Sequence, residues 1–142
     1  MLNAFVERGL AVLVPFGGGH PYDLALHVGG AAFLRIQCKT AWLRGRCLVF
    51  NSHSTDHGRG QVSYVGLADA FGIYAPATRA VYLVPVEGVG SSEGRLRLTP
   101  TLNNQRKRIR FAADYEIGAW TIDGLRDLAC VTGPAGVQPR AA

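Results

Sequence analysis

The 142-residue chain has few cysteines and no long apolar run. Its three cysteines, Cys38, Cys47 and Cys130, are an odd number without a metal-binding spacing, which favours free thiols in a reducing compartment. The longest apolar stretches, residues 10–16 and 81–86, are far shorter than the roughly 20 residues that cross a bilayer. The N-terminus also lacks the basic segment that begins a signal peptide. We therefore expect a cytoplasmic protein.

Lysine is the scarce basic residue. The chain has 15 Lys or Arg against 10 Asp or Glu, for a net charge of +5, yet only Lys39 and Lys107 are lysines. A guanidinium group binds two oxygens of a phosphate or carboxylate at once, so the arginines suit an anionic partner. A GC-rich coding sequence would also favour arginine over lysine. With 48% apolar and 18% charged residues, the chain is typical of a folded domain. We expect a single domain over residues 1–131 and a flexible tail over residues 132–142.

Strand patterns dominate the chain. Apolar runs and alternation predict strands over residues 10–16, 22–28, 32–42, 47–51, 70–74 and 80–86, with a short strand at residues 96–98. Residues 1–9 are typical of the last turns of a helix, residues 51–60 of a polar loop, and residues 103–115 fit either a strand or a helix. The predicted class is α+β, with a mixed, mostly antiparallel central sheet flanked by helices.

One predicted strand has a polar face, because alternation places Arg35, Gln37 and Lys39 on the same side. The preceding strand carries Asp23, and the register between the two strands decides whether these groups meet. A two-residue turn at residues 29–30 would put Asp23 on the face opposite Gln37. A three-residue loop or a bulge instead pairs Asp23 with Gln37 and gathers the aliphatic side chains on one face. We therefore predict the second register, which brings Asp23, Gln37 and Lys39 together.

A carboxylate, an amide and an ammonium on adjacent strands suit metal-assisted hydrolysis of phosphodiesters. Asp23, the Gln37 amide oxygen and the Cys38 carbonyl offer hard oxygen ligands to Mg²⁺ or Mn²⁺. Such a metal activates a bound water and neutralises phosphate charge, while Lys39 would position the water and stabilise developing charge. The non-catalytic interpretation is a polar strand face with an aspartate nearby, which is common in antiparallel sheets.

The sequence around these residues resembles a nuclease signature. PYD at residues 21–23 followed by QCK at residues 37–39 resembles the PD-(D/E)XK motif, with glutamine in the acidic position. An ordered set of segments resembles the group I intron-associated PD-(D/E)XK endonuclease family: VPFG at 14–17, YDL at 22–24, RIQCKTA at 35–41, VYLVPV at 81–86, NQ at 104–105 and ADY at 113–115. The resemblance covers residues 9–115. It implies a restriction-endonuclease-like core, Mg²⁺-dependent cleavage of double-stranded DNA, and Asp23, Gln37 and Lys39 as the catalytic positions.

The resemblance also implies a helical glutamate before the first strand. Glu7 lies so near the predicted helix end that we expect it to align with a surface position. In that case either the chain begins after the part of the helix that carries the acid, or the metal has a reduced ligand set. His20 could assist proton transfer and Asp69 could add a carboxylate, although a loop histidine and a turn aspartate are the more ordinary interpretations.

Basic and amide side chains elsewhere are candidate DNA contacts. A nuclease would bind the phosphate backbone with the charges and reach base edges with the amides, whereas a solvated basic face is equally compatible with the run after residue 103. The candidates are Arg44, Arg46, Arg59, Asn104, Gln105, Arg106, Lys107 and Arg108.

The leading hypothesis is a Mg²⁺- or Mn²⁺-dependent endonuclease of double-stranded DNA, of the homing type. Because one active site cuts one strand, we expect at least a homodimer. Two alternatives share the fold: a structure-selective nuclease similar to Holliday-junction resolvases, and a catalytically impaired DNA-binding module.

Overall fold

The computed structural model describes residues 1–56, 60–102 and 106–131. Its elements in chain order are α1 (Leu2–Val6), β1 (Ala11–Leu13), β2 (Leu24–Gly29), β3 (Ala32–Thr40), β4 (Trp42–Arg44), β5 (Cys47–Asn51), β6 (His53–Asp56), β7 (Gly60–Ser63), β8 (Ala70–Ala75), β9 (Ala80–Pro85), β10 (Glu93–Arg97), α2 (Ala112–Tyr115), a 3₁₀ turn (Ile117–Ala119) and α3 (Ile122–Val131). The main sheet has the order β1-β2-β3-β8-β9, and a smaller sheet has the order β10-β5-β4. Within the main sheet β3 and β8 are parallel and the other neighbours antiparallel, so the mixed, mostly antiparallel prediction is confirmed.

Apolar side chains pack on both faces of the main sheet. On one face, Leu34 and Ile36 of β3 belong to a buried cluster with Phe5 of α1 and Leu125 of α3. On the other face, Phe71 of β8 belongs to a second cluster that includes Leu48, Phe50 and Leu96 of the smaller sheet. The polar side chains of β3 therefore lie on the side of the smaller sheet, because successive residues of a strand alternate between faces.

The β2–β3 register is the predicted one. Leu24 lies opposite Ile36 and Leu26 opposite Leu34, so the aliphatic side chains share a face. A register shift between His27 and Gly29 absorbs the extra residue, and Gly29 has a φ of 104°, a conformation that glycine adopts without strain. The prediction of a bulge at this hairpin is confirmed.

Three predicted elements differ from the structure. The prediction of a polar loop over residues 51–60 is wrong, because β6 and β7 pair as an antiparallel two-stranded sheet with His53 opposite Ser63. Residues 57–59 lie outside the described ranges. The strand over residues 10–16 is shorter and ends at Leu13. The long strand to residue 42 is interrupted after Thr40, since Trp42 begins β4 and pairs with Val49 of β5 instead.

The C-terminal part contains a helix that the sequence analysis does not predict. Leu125 of α3 is buried against the main sheet, and the Arg126 Nε–H donates to the Val28 carbonyl at 2.7 Å. In the ambiguous segment, α2 occupies only Ala112–Tyr115. None of the helices within the described ranges has the length and apolar character that crossing a bilayer requires. The expected tail, residues 132–142, lies outside those ranges.

Candidate active site

Asp23 and Gln37 meet at the end of the β2–β3 hairpin opposite its turn. Asp23 directly precedes β2, and its Oδ2 accepts hydrogen bonds from the Gln37 Nε2 and from the Cys38 backbone N–H, both at 2.7 Å. The Asp23 backbone N–H in turn donates to the Ile36 carbonyl at 2.9 Å, which fixes the residue against β3. The Asp23 side chain is exposed. The predicted pairing therefore brings an accessible carboxylate and an amide into direct contact.

A glycine-rich loop encloses the space beside Asp23. Residues 17–19 are all glycine, and they line a cavity of about 310 Å³ together with His20, Tyr22 and Asp23. Gly17 and Gly19 have φ values of 95° and 82°, which other residues rarely adopt. The Nε2 of His20 lies 3.1 Å from the Phe16 carbonyl, so the imidazole bridges the loop to itself. Asp23 therefore lies at the edge of a recess of small-molecule dimensions.

Lys39 extends from the same face of β3 to a different set of partners. Its ammonium donates to the His53 carbonyl at 3.1 Å and to the Tyr64 hydroxyl at 3.2 Å, and Nζ lies 4.7 Å from the centre of the Tyr64 ring. Lys39 is half-buried and Tyr64 is buried. Lys39 therefore lies two residues after Gln37 on β3, but its ammonium contacts His53 at the start of β6 and Tyr64 just after β7.

Asp69 is used for holding strands together. Only 2% of its surface is exposed, and its carboxylate forms an ion pair with Arg35 at 2.5 Å while also accepting the Arg35 backbone N–H at 2.6 Å. The Asp69 N–H donates to the Arg35 carbonyl at 2.9 Å. These bonds join β3 to the start of β8, so the carboxylate that sequence analysis offered as an extra ligand is engaged by Arg35.

Two further predicted positions differ in what they can contribute. Glu7 is exposed and immediately follows α1, where its backbone N–H caps the helix by donating to the Asn3 carbonyl at 2.8 Å. Burial, with a smaller contribution from the Asp23 charge, raises the pKa of the Cys38 thiol to about 11. The Cys38 side chain packs against the buried cluster of Leu34 and Ile36, so its carbonyl oxygen is the hard ligand that Cys38 offers to Mg²⁺ or Mn²⁺.

The oxygen donors at this site fit a hydrated Mg²⁺ or Mn²⁺ ion. Asp23, the Gln37 amide oxygen and the Cys38 carbonyl are hard ligands, and Mg²⁺ is commonly held by one or two carboxylates, with water and phosphate oxygens completing its shell. The Gln37 amide would have to turn over, since its nitrogen now faces Asp23. Within residues 1–56, 60–102 and 106–131, no group of three or more His, Cys, Asp and Glu side chains is arranged to hold a metal. The ligand set is therefore sparse and depends on neutral oxygens.

Arg44 and Arg46 lie at one end of the smaller sheet. Arg44 ends β4, forms an ion pair with Glu93 at 3.1 Å and lies 5.9 Å from the centre of the Trp42 ring. Hydrogen bonding to Arg95, with a contribution from Arg44, lowers the pKa of Glu93. Arg46 is exposed in the turn between β4 and β5. Both arginines are accessible to a phosphate backbone.

The basic run after residue 105 is also exposed. Arg106, Lys107 and Arg108 are all solvent-accessible, and the Arg106 guanidinium lies 5.5 Å from the centre of the Phe111 ring. Arg106 also lines a cavity of about 470 Å³ with Arg97. Arg59, Asn104 and Gln105 lie outside the described residues.

Sequence reasoning missed three participants in the site region. His53 and Tyr64 bind Lys39 although they are 14 and 25 residues away, and Arg35 pairs with Asp69 across 34 residues. The contact at His53 is made by its backbone carbonyl, which no side-chain pattern can predict. For Arg35, alternation predicts its place on the same strand face as Gln37 but does not predict that Asp69 is its partner.

Comparison with known proteins identifies a matching family and a similar solved structure. Residues 1–118 match the sequence profile of a family described as PD-(D/E)XK endonuclease. The bacterial homing endonuclease I-Ssp6803I has a similar structure, with a TM-score of 0.57 and 24% sequence identity over 82% of this chain and 78% of that one. None of the curated proteins shows significant similarity to this chain. The α+β fold with a restriction-endonuclease-like core is confirmed.

The contrast between the two aspartates is testable by unfolding. Asp69→Asn should lower the free energy of unfolding by about 2–4 kcal/mol, because it removes the buried negative charge that pairs with the Arg35 guanidinium. Asp23→Asn should change it by less than about 1 kcal/mol, because the side chain is exposed. Urea denaturation followed by tryptophan fluorescence measures both variants. Equal losses, or a larger loss for Asp23→Asn, would contradict these assignments.

Proposed function

The chain belongs to the PD-(D/E)XK endonuclease family, and we propose that it is a divalent-metal-dependent endonuclease that cuts double-stranded DNA, with Asp23, Gln37 and Lys39 as its catalytic residues. The observation that carries the proposal is the direct contact of Gln37 with Asp23 at 2.7 Å, with Lys39 on the same strand face. These are the side chains that the family resemblance assigns to catalysis. The homing type of endonuclease is supported by the similarity to the bacterial homing enzyme.

Asp23 and Gln37 would hold the metal from the open side of the hairpin, with the Cys38 carbonyl as a third oxygen. When bound, Mg²⁺ or Mn²⁺ supplies an activated water and neutralises charge on the scissile phosphate. The Asp23 carboxylate accepts both of its hydrogen bonds on Oδ2, and an ionised carboxylate has about four acceptor positions. Acceptor capacity for a cation therefore remains at Asp23.

Lys39 would act on the water and on the phosphate. An ammonium carries three N–H groups, of which two donate to His53 and Tyr64, so the third is available to substrate. There it would orient the attacking water and stabilise the negative charge that develops on the phosphate oxygens. A half-buried ammonium strengthens this effect, because surrounding protein screens it less than water does.

The exposed basic residues would bind the duplex. Arg44, Arg46, Arg106 and Arg108 offer guanidinium groups, and Lys107 an ammonium group, to the phosphate backbone; Arg59, Asn104 and Gln105, which lie outside the described residues, are proposed as further contacts. One site cuts one strand, so cleavage of both strands calls for a homodimer or larger homo-oligomer.

Cleavage of supercoiled plasmid tests the catalytic assignment. The wild-type protein should nick or linearise the plasmid with Mg²⁺ and lose this activity with EDTA. Lys39→Ala should slow cleavage by at least about 100-fold, because a group that stabilises transition-state charge is removed. Arg79→Asn is the control, since it removes an exposed positive charge that is not among the proposed DNA contacts, and asparagine tolerates the φ of 54° at this position. Gel electrophoresis over time gives the rates.

Several outcomes would contradict this proposal. Cleavage by Lys39→Ala at the wild-type rate would overturn the assigned role of Lys39. Cutting of four-way junctions without cutting of plasmid would favour the structure-selective nuclease. Salt-sensitive duplex binding with no cleavage of either substrate would favour the DNA-binding module.

Duplex binding tests the basic run. In the Lys39→Ala background, Arg106→Ala should weaken binding by roughly threefold to tenfold and reduce the slope of log K against log salt by about 1, as expected for one lost phosphate contact. The matched control is Arg79→Asn, which removes an exposed charge in the turn between β8 and β9 and tolerates its φ of 54°. Fluorescence anisotropy at several salt concentrations measures both; equal effects of the two variants would show that Arg106 contributes only general charge.

A further inference from the structure

The Lys39 ammonium has two acceptors at the base of the β6–β7 hairpin. His53 begins β6 and Tyr64 directly follows β7, and the pairing of His53 with Ser63 brings these positions side by side. The ammonium donates to the His53 carbonyl and to the Tyr64 hydroxyl, and it lies over the Tyr64 ring. The hydroxyl lone pairs and the ring face both attract positive charge.

Both acceptors are themselves held in place. Tyr64 is 7% exposed, and its ring packs edge-on against Phe71 at 5.6 Å and 90°. Phe71 lies on β8 directly opposite Gln37 in the parallel β3–β8 ladder. The His53 ring Nδ1 lies 2.9 Å from the Ser92 carbonyl, which ties the start of β6 to the segment before β10. The position of the ammonium is therefore set by packed elements rather than by the flexible lysine stem.

We propose that Tyr64 is a positioning residue for Lys39. The N–H groups of a tetrahedral nitrogen stand at fixed angles, so two acceptors that are fixed in space also fix the direction of the third N–H. Removing the Tyr64 hydroxyl frees the ammonium to rotate and to move, and small displacements of a catalytic group lower rates strongly. This inference rests on the proposed role of Lys39 in cleavage, but the contact between the two side chains exists independently of that role.

The kinetic test uses Tyr64→Phe, which keeps the ring and removes the hydroxyl. The single-turnover cleavage rate constant at saturating protein should fall by about fivefold to tenfold, the worth of one hydrogen bond near 1 kcal/mol, while duplex affinity stays within about twofold of wild type. Tyr82→Phe is the matched control, because Tyr82 is 3% exposed and its hydroxyl pairs with the Thr78 hydroxyl at 2.9 Å rather than with Lys39. That variant loses a comparable buried hydrogen bond and should cleave at the wild-type rate.

The structural test uses the scarcity of lysine. Protein labelled with ¹³C,¹⁵N-lysine gives side-chain signals from only two residues, Lys39 and the exposed Lys107, and loss of a signal in Lys39→Ala assigns it. Tyr64→Phe should shift the Lys39 Nζ signal and keep the ring-current shift of its Cε protons. Tyr64→Leu should abolish the ring-current shift as well. Lys107 should not move in either variant.

These measurements separate failure of the inference from failure of the proposed function. Unchanged Lys39 signals in Tyr64→Phe and Tyr64→Leu would overturn the inference, as would equal rate losses in Tyr64→Phe and Tyr82→Phe. Shifted Lys39 signals in a protein whose cleavage does not depend on Lys39 would instead uphold the contact and overturn the catalytic role of Lys39.

Discussion

The pairing of β2 with β3 determines which side chains meet at the site. Because side chains alternate along a strand, a slip of one residue would turn Asp23 away from Gln37 and carry Leu24 and Leu26 out of the core. The positive φ of Gly29 and the shift beside it allow the hairpin to turn with the aliphatic side chains on one face. The same burial that stabilises the sheet therefore brings the carboxylate beside the amide.

Asp23 and Asp69, which precede the two strands next to β3, have different roles. Asp69 is buried and paired with Arg35, so its charge holds β3 against β8. Asp23 is exposed beside a recess and, within the described part of the chain, forms no ion pair; its carboxylate accepts hydrogen bonds from two neutral donors. Such a carboxylate next to oxygen donors suits a cation, whereas a carboxylate already neutralised by arginine does not. The Lys39 ammonium is held by Tyr64. The Tyr64 ring packs against Phe71 of β8, and Phe71 lies opposite Gln37.

Sequence patterns predict the features of this fold that depend on residues close together in the chain. The alternation in β3 and the aliphatic pattern of β2 predict the register, because both strands bury one face and lie on either side of a short turn. Tyr64 and the Arg35–Asp69 pair depend on which distant strands become neighbours, and alternation within one strand holds no information about that choice. The β6–β7 hairpin escapes prediction because its residues are polar, although strands at the surface need not be apolar. By contrast α3 shows a helical spacing in Ile122, Leu125 and Leu128 that could have predicted it.

The central claim is that Asp23 and the neighbouring Gln37 hold a divalent metal ion, and Mn²⁺ binding tests it without requiring activity. An electron paramagnetic resonance titration of the wild-type protein should detect bound Mn²⁺, and Asp23→Asn should weaken that binding by at least about tenfold, because it removes the only full negative charge among the proposed ligands. Asp114→Asn, which neutralises an exposed aspartate of α2, should leave the affinity unchanged. Equal Mn²⁺ affinity in the wild-type protein and Asp23→Asn would contradict the account.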